Sequence, residues 1–447
     1  MFLQLLTIYS IIMIVVCITN YKLGLSLYLV YSILVPVPFI YIGGFTIGTN
    51  LFNLLLLIIL MVRILIRNNK FRFDYKFLLP FVFLYTAQFL LIPFHLTETP
   101  LTYQLNAFRV DLMGILIPPF LLMNTLKFDR KAIVYLKVAF IAAVAIATLY
   151  GLYLLTRIGE NPYLEIIKPL NQGEVLDQDS VLEEGLRVFG YISSVFTDTS
   201  MYGIFLSTSI FFMLFMLKVD KKKLWLILTV MLIINAATCG MRSCMIACVV
   251  SLVFYTIINK LYNNLLYIAA ILLAGYAVLM FIPNFSLLLE TMFTGNVNGS
   301  SIDMRMDQLK GCFDEIQGKE FFGNGYGWTG YYRNEIGRHP VMLSFESILI
   351  VILCNNGFMG LVIWGIFITL YIRRCHRIPI DRFTKNILYT LLVAYFSYAF
   401  STGDYGYMKY LTLYYTIVIA YSIYSAPARR KQSGRSLSTH TYEKLYY

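Results

Sequence analysis

The chain has 447 residues, 59% of them apolar and 13% charged, with a formal net charge of +12 and a mean hydropathy of +0.70. Soluble domains carry about 25% charged residues, so this composition excludes a soluble globular protein. It predicts an all-α polytopic membrane protein in which apolar runs of roughly 20 residues each cross the bilayer; no series of alternating ten-residue strands suggests an outer-membrane barrel.

In chain order, spans are predicted near 2–20, 23–42, 45–66, 77–95, 108–126, 132–155, 189–217, 224–240, 242–259, 264–283, 343–371, 385–400 and 410–426, about thirteen in one integral-membrane domain, 1–447. The first run has no basic n-region and no small-x-small cleavage site, so it reads as a retained span. Pro36, Pro38 and the Gly43-Gly44 pair suit a re-entrant segment, which would lower the count to twelve and leave the N-terminus inside. The gaps at 63–76, 127–137, 218–223 and 373–385, the tail from 429, Lys22 and Lys260 hold 25 of the 36 basic residues and 5 of the 24 acidic ones. That bias is the positive-inside signature, which places these gaps and the tail, 427–447, in the cytoplasm and leaves no need for a nucleic-acid partner. Two long segments then face outward. The loop at 156–186 is charged and rich in turn residues, and the large loop at 284–342 carries an amphipathic stretch near 304–322 suited to an interfacial helix. Polar length is thus concentrated on the outer side of the membrane, and chemistry is expected there.

The seven cysteines (17, 239, 244, 248, 312, 354, 375) sit mostly in or beside apolar runs without metal-ligand spacing, which argues against both a metal site and a disulfide framework. The chemistry candidates are outer-side arginines. Arg242 occupies the tight turn Thr238-Cys239-Gly240-Met241-Arg242-Ser243, and Arg187 and Arg305 lie on the same side near apolar segments. An arginine at hydrocarbon depth is costly, so one reading is snorkelling to the interface. The other is function, because several planar guanidinium forks converging on one place hold a diphosphate without metal. Glu346 at the start of a span either favours the positive end of that helix's dipole or serves as a base, and His339 is either a solvated loop histidine or an alternative base. The run from Gly323 to Gly330 reads as turns; its Tyr326, Trp328, Tyr331 and Tyr332 suit either sugar stacking or interfacial anchoring. Arg109 and Asp111, two residues apart on different helix faces, read as structural, and Asp404 and Lys409, in the last outer turn, either rim the cavity or form a solvated turn, the second being the default reading.

Arg187-Val-Phe-Gly190 followed by Phe196-Thr-Asp-Thr-Ser-Met-Tyr-Gly203 resembles the R-x-x-G, P-N-x-x-G opening of the O-antigen polymerase and ligase family (Wzy and WaaL types). Thr238 to Ser243 resembles that family's T-x-S-R hairpin. Arg305, Phe322-Gly-Asn-Gly-Tyr-Gly327 and Asn355-Asn-Gly-Phe-Met-Gly360-Leu361 resemble its large periplasmic loop and the helix after it, so the likeness covers roughly 187–371. The resemblance implies a membrane glycosyltransferase that moves lipid-linked glycans at the outer face, the periplasmic or extracellular side, of a bacterial cytoplasmic (inner) membrane, with Arg187, Arg242 and Arg305 on the diphosphate of a polyprenyl (undecaprenyl) diphosphate-linked oligosaccharide. Ligases carry a His-Asn pair where this chain has Glu346, which favours a polymerase of oligosaccharide repeat units, for O-antigen, capsule or exopolysaccharide, with Arg242, Arg305 and either Glu346 or His339 catalytic. Direct displacement would invert the anomeric centre, with no metal or cofactor required. Membrane lipid, a chain-length regulator and a flippase are the partners implied. A ligase to lipid A-core, or a flippase or transporter of lipid-linked glycans, remains the alternative; the one-sided elaboration favours an enzyme.

Overall fold

The computed structural model describes residues 2–34, 40–42, 45–47, 49–68, 76–94, 98–128, 132–157, 161–163, 192–196, 199–261, 302–337, 339–342, 345–404 and 406–432. Its helices are α1 (Phe2–Thr19), α2 (Tyr21–Leu34), α3 (Thr49–Asn68), α4 (Leu79–Leu91), α5 (Leu101–Asp111), α6 (Ile117–Phe128), α7 (Ala132–Leu154), α8 (Thr199–Asp220), α9 (Lys223–Thr238), α10 (Arg242–Ile258), α11 (Ile302–Glu315), α12 (Trp328–Tyr331), α13 (Ile348–Arg377), α14 (Arg382–Thr402) and α15 (Met408–Gln432). A single small antiparallel hairpin, Ile40–Ile42 with Phe45–Ile47, interrupts the helical pattern among these residues.

Among the described residues, five helical stretches are long and apolar enough to cross a membrane: Lys76–Phe94, Leu101–Thr125, Ala132–Leu154, Thr199–Asp220 and Ile348–Arg377. Shorter apolar helices run over Thr7–Thr19, Leu51–Ile66, Lys223–Thr238 and Arg242–Ile258. Most agree with the predicted spans to within a few residues; the span at 189–217 does not, because 192–196 is non-helical and α8 begins only at Thr199. The predicted span at 23–42 differs too: α2 is described over Tyr21–Leu34, Ile40–Ile42 is a strand rather than the end of a helix, and 35–39, with Pro36 and Pro38, lie outside the described residues. The predicted span at 264–283 lies outside the described residues.

Apolar side chains point both ways. α8 is buried on nearly every side, from Tyr202 to Met216, and packs against α9, α14 and α15. On α7, Val134, Val138, Ile146 and Leu149 lie on the outer surface, as do Ile246, Val249, Val250, Val253 and Ile257 of α10. Soluble proteins seldom leave such contiguous apolar stripes in water; lipid accepts them at no cost.

Two kinds of polar group close the ends. At one end Lys137 pairs with Asp220, which also accepts from Trp225 Nε1 (3.2 Å) and Tyr421 Oη (3.2 Å). There too Asn386 Nδ2 donates to Asn259 Oδ1 at 2.9 Å and Lys218 lies over the Phe383 ring. The gaps that meet here are the lysine- and arginine-rich ones. At the other end gather the turn after α9, the segment 192–196, the start of α13, the turn after α14 and the stretch 316–347.

Candidate functional site

The Arg242 turn is built from a glycine and a helix start. α9 ends at Thr238, Gly240 takes φ 80°, and α10 begins at Arg242 behind Met241. Met241 has no side-chain oxygen and gives α10 no capping hydrogen bond. Arg242, half-buried, thus stands in the first turn of a helix, the end at which backbone N–H groups and the dipole favour anions. The segment following Arg187 packs onto this turn: Ile192 N–H donates to the Cys239 carbonyl at 3.1 Å. Behind it, Ser194 Oγ donates to the Ala147 carbonyl (2.6 Å), Asn161 Nδ2 to Ser193 Oγ (3.1 Å), and Tyr202 Oη to Asn235 Oδ1 (2.7 Å). Arg187 itself lies outside the described residues. Arg305 belongs to α11, and its side chain lies outside them too.

The second half of the site is a broken helix. α13 is interrupted at Gly357, with φ 57° and ψ −152°, a region open only to glycine. Breaking a helix orphans carbonyls on one side and N–H groups on the other. Here the Glu320–Gly325 segment satisfies both sets: Asn324 N–H and Gly325 N–H donate to the carbonyls of Cys354 and Asn355 at 2.8 and 2.9 Å, while Phe358 N–H and Met359 N–H donate to those of Glu320 and Phe321 at 2.8 and 3.0 Å. Thr329 N–H adds a bond to Asn355 Oδ1 at 2.9 Å. The approach leaves no room for side chains: a Cβ on Gly357 would stand 2.4 Å from the Glu320 carbonyl oxygen, and one on Gly323 2.7 Å from Gly357 N. Two glycine-bearing stretches some thirty residues apart in sequence are thus one interlocked piece of backbone.

Glu346 stands just before α13, half-buried. Phe345 before it holds φ 53°, strained for a bulky residue, and its ring fills a pocket of Trp328, Tyr332 and His339. His339 is not solvated, contrary to the bland reading of its sequence. It is 6% exposed; its Nδ1 accepts from Val341 N–H (3.1 Å) and Met342 N–H (2.9 Å), and its Nε2 lies 3.4 Å from Glu315 Oε2. With Nδ1 occupied as an acceptor, Nε2 carries the proton and donates to Glu315. That geometry makes His339 a brace between α11 and the Glu346 segment. Tyr326 and Trp328 are buried, at 6% and 3% exposure, and serve packing; of the four aromatic residues of this run, only the half-buried Tyr331 and Tyr332 retain a surface.

Sequence reasoning passed over one constellation. Asp111, read as structural, ends α5 where the helix widens into a π-helical turn, Leu112–Leu116, just ahead of Pro118 and Pro119. Its Oδ2 accepts from Tyr326 Oη, and Tyr326 N–H donates to Gln104 Oε1 at 3.0 Å. Asp404, read as part of a solvated turn, is half-buried and accepts from Tyr395 Oη and, at 2.9 Å, from Tyr407 N–H. Burial raises its carboxyl above the usual range against the pull of those bonds. Asp111 and Asp404 are near enough to act on one another and on Tyr85. The available signal was Asp111 itself, an acid in an apolar span, and a π turn is a frequent mark of function.

The described part of the site therefore has two built pieces. Arg242 and the 192–196 segment form one. Glu346, His339, the α13 break and, through Tyr326, Asp111 form the other. No group of three or more His, Cys, Asp or Glu side chains suited to a metal occurs among the described residues. No family model matches the chain, and neither a curated protein nor a solved structure does.

Proposed function

We propose that the chain is a polytopic protein of the bacterial cytoplasmic membrane that joins polyprenyl diphosphate-linked oligosaccharide repeat units at its outer face. The observation that carries this reading is the interlock at Gly357, because it joins the Phe322–Gly327 and Asn355–Gly360 stretches, two of the motifs on which the family resemblance rests, and sets Glu346 at the head of the same helix. The Arg242 turn, a guanidinium in the first turn of a helix, suits the diphosphate, and the segment after Arg187 packs beside it.

In the reaction, a hydroxyl of the incoming lipid-linked unit attacks the reducing-end carbon of the growing chain. The new carbon–oxygen bond forms as the bond to the diphosphate breaks, the hydroxyl proton passes to the Glu346 carboxylate, and the diphosphate leaves with the bonding pair. Arg242, with Arg187 and Arg305, stabilises the charge that builds on the leaving group. Attack opposite the leaving group inverts the anomeric centre. Glu346 is taken as the base on this reading, with His339, whose Nδ1 accepts from Val341 and Met342 N–H, as the alternative. A ligase would instead move finished chains to lipid A-core.

Cells distinguish these outcomes. Inactivating a polymerase leaves export and ligation of one unit intact, so surface glycan carries single units and no long-chain ladder. Inactivating a ligase strands long chains on the lipid carrier, and that result would overturn the reading.

A further inference from the structure

Cys312 and Cys354 are 42 residues apart, yet their sulfur atoms stand 3.5 Å from each other, with Met342 Sδ 3.7 Å from Cys354 Sγ. Both are fully buried in a small core of Ile316, Trp328, Met342, Phe345 and Leu353, separate from the main one. Gly311 lets α11 lie this close, since a Cβ there would stand 2.7 Å from Val341 Cγ1. A disulfide needs sulfurs about 2.05 Å apart, so rotation about the side-chain bonds and a small shift of α11 close the gap. Both residues belong to the end of the molecule that holds Glu346 and the α13 break. On the reading above, on which this inference rests, that end faces the oxidising side of the membrane, where disulfides persist.

We propose that Cys312 and Cys354 form a disulfide in the mature protein, pinning α11 to α13 across the candidate site. Two thiols lose two protons and two electrons to a disulfide-bearing oxidoreductase of the outer face, which is reduced to its dithiol through a mixed disulfide with one of them. Exchange precedes docking of α11, because afterwards neither sulfur is accessible; for the same reason the finished bond resists reductant. The closed loop contains the Glu320–Gly325 segment, His339 and Glu346, so the bond restrains the whole second piece of the site and fixes the helix that bears Arg305. Cys375 lies towards the opposite end of α13 from Cys354, near the basic end of the bundle, and Cys239, Cys244 and Cys248 lie near one another at the Arg242 turn and the start of α10, apart from this pair.

The test is a thiol count on the full-length protein, extracted from membranes in N-ethylmaleimide, denatured and analysed by mass spectrometry. Without reduction Cys312 and Cys354 should escape alkylation and appear in one cross-linked peptide, and after reduction all seven cysteines should be alkylated. In the Cys312→Ser variant Cys354 should be alkylated with or without reduction. Reductant should lower the thermal midpoint of the denatured-and-refolded wild type by several degrees and leave the Cys312→Ser, Cys354→Ser double variant unmoved. Seven alkylated thiols in the unreduced wild type would overturn the inference. The two readings fail separately. Asn334, exposed on the same loop, is replaced by cysteine and labelled in intact cells with an impermeant maleimide. Labelling together with seven free thiols would reject the disulfide and leave the outward orientation standing, whereas labelling only after lysis would overturn the orientation and the disulfide with it.

Discussion

Arg242 shows how much one residue's surroundings add to its identity. Its sequence allows a snorkelling anchor or an anion ligand, and a place in the first turn of α10, where anions are favoured, suits the second. Arg242→Ala should insert normally and lose about two to three orders of magnitude in polymer formation, the usual effect of removing one preorganised contact to a developing anion. Arg242→Lys should recover part of that, because a point charge replaces the fork. Normal polymer from a well-expressed Arg242→Ala protein would return the residue to the role of anchor. Glu346→Gln keeps shape and hydrogen bonding and removes the proton acceptor, so activity should fall by about 10²–10⁴ with thermal stability unchanged. His339→Ala should show the converse pattern, a lower thermal midpoint and a smaller loss of rate per folded molecule, because it leaves the N–H groups of Val341 and Met342 without their acceptor. A stable, inactive His339→Ala would move the base to the histidine.

At the scale of elements, the helices were largely legible and the joints between them were not. Apolar runs fix the position of α4, α7, α9 and α10 because lipid and core both select for them. The Glu320–Gly325 and Asn355–Gly357 stretches were each visible as glycine-bearing motifs. Their interlock was not, since hydrogen bonds between backbone atoms thirty residues apart leave no period in the sequence. The same holds for Tyr326 and Asp111, 215 residues apart, and for the buried state of His339. Gly357→Ala meets both a forbidden φ, ψ pair and the Glu320 carbonyl; it should cost ~3 kcal/mol or more, seen as a lower thermal midpoint and loss of activity. Gly323→Ala, which strikes the same joint from the other side, should do likewise, and the double variant should cost less than the sum of the two because they break one contact. Additive losses would mean that the two glycines serve separate structures.

For the whole molecule, the two ends differ in chemistry. One collects lysines and arginines around Asp220 and Asn386; the other holds the turn at Arg242, the broken helix and the tyrosine-capped carboxylates Asp111 and Asp404. On the positive-inside reading the second end faces outward. Because every native cysteine is buried, the wild type is a clean blank for the Asn334→Cys labelling described above, and a cysteine in place of Lys221, exposed in the short basic connection at the other end, should label only in lysed cells. The central claim is the reaction itself. The most direct measurement incubates the purified protein with a synthetic polyprenyl diphosphate-linked repeat unit, with no lipid A-core acceptor present, and follows glycan length and released polyprenyl diphosphate together. A ladder of oligomers, with one diphosphate released per linkage and an inverted anomeric centre, is the predicted result; a wild-type protein that binds the substrate yet yields neither longer glycan nor free diphosphate would contradict the account.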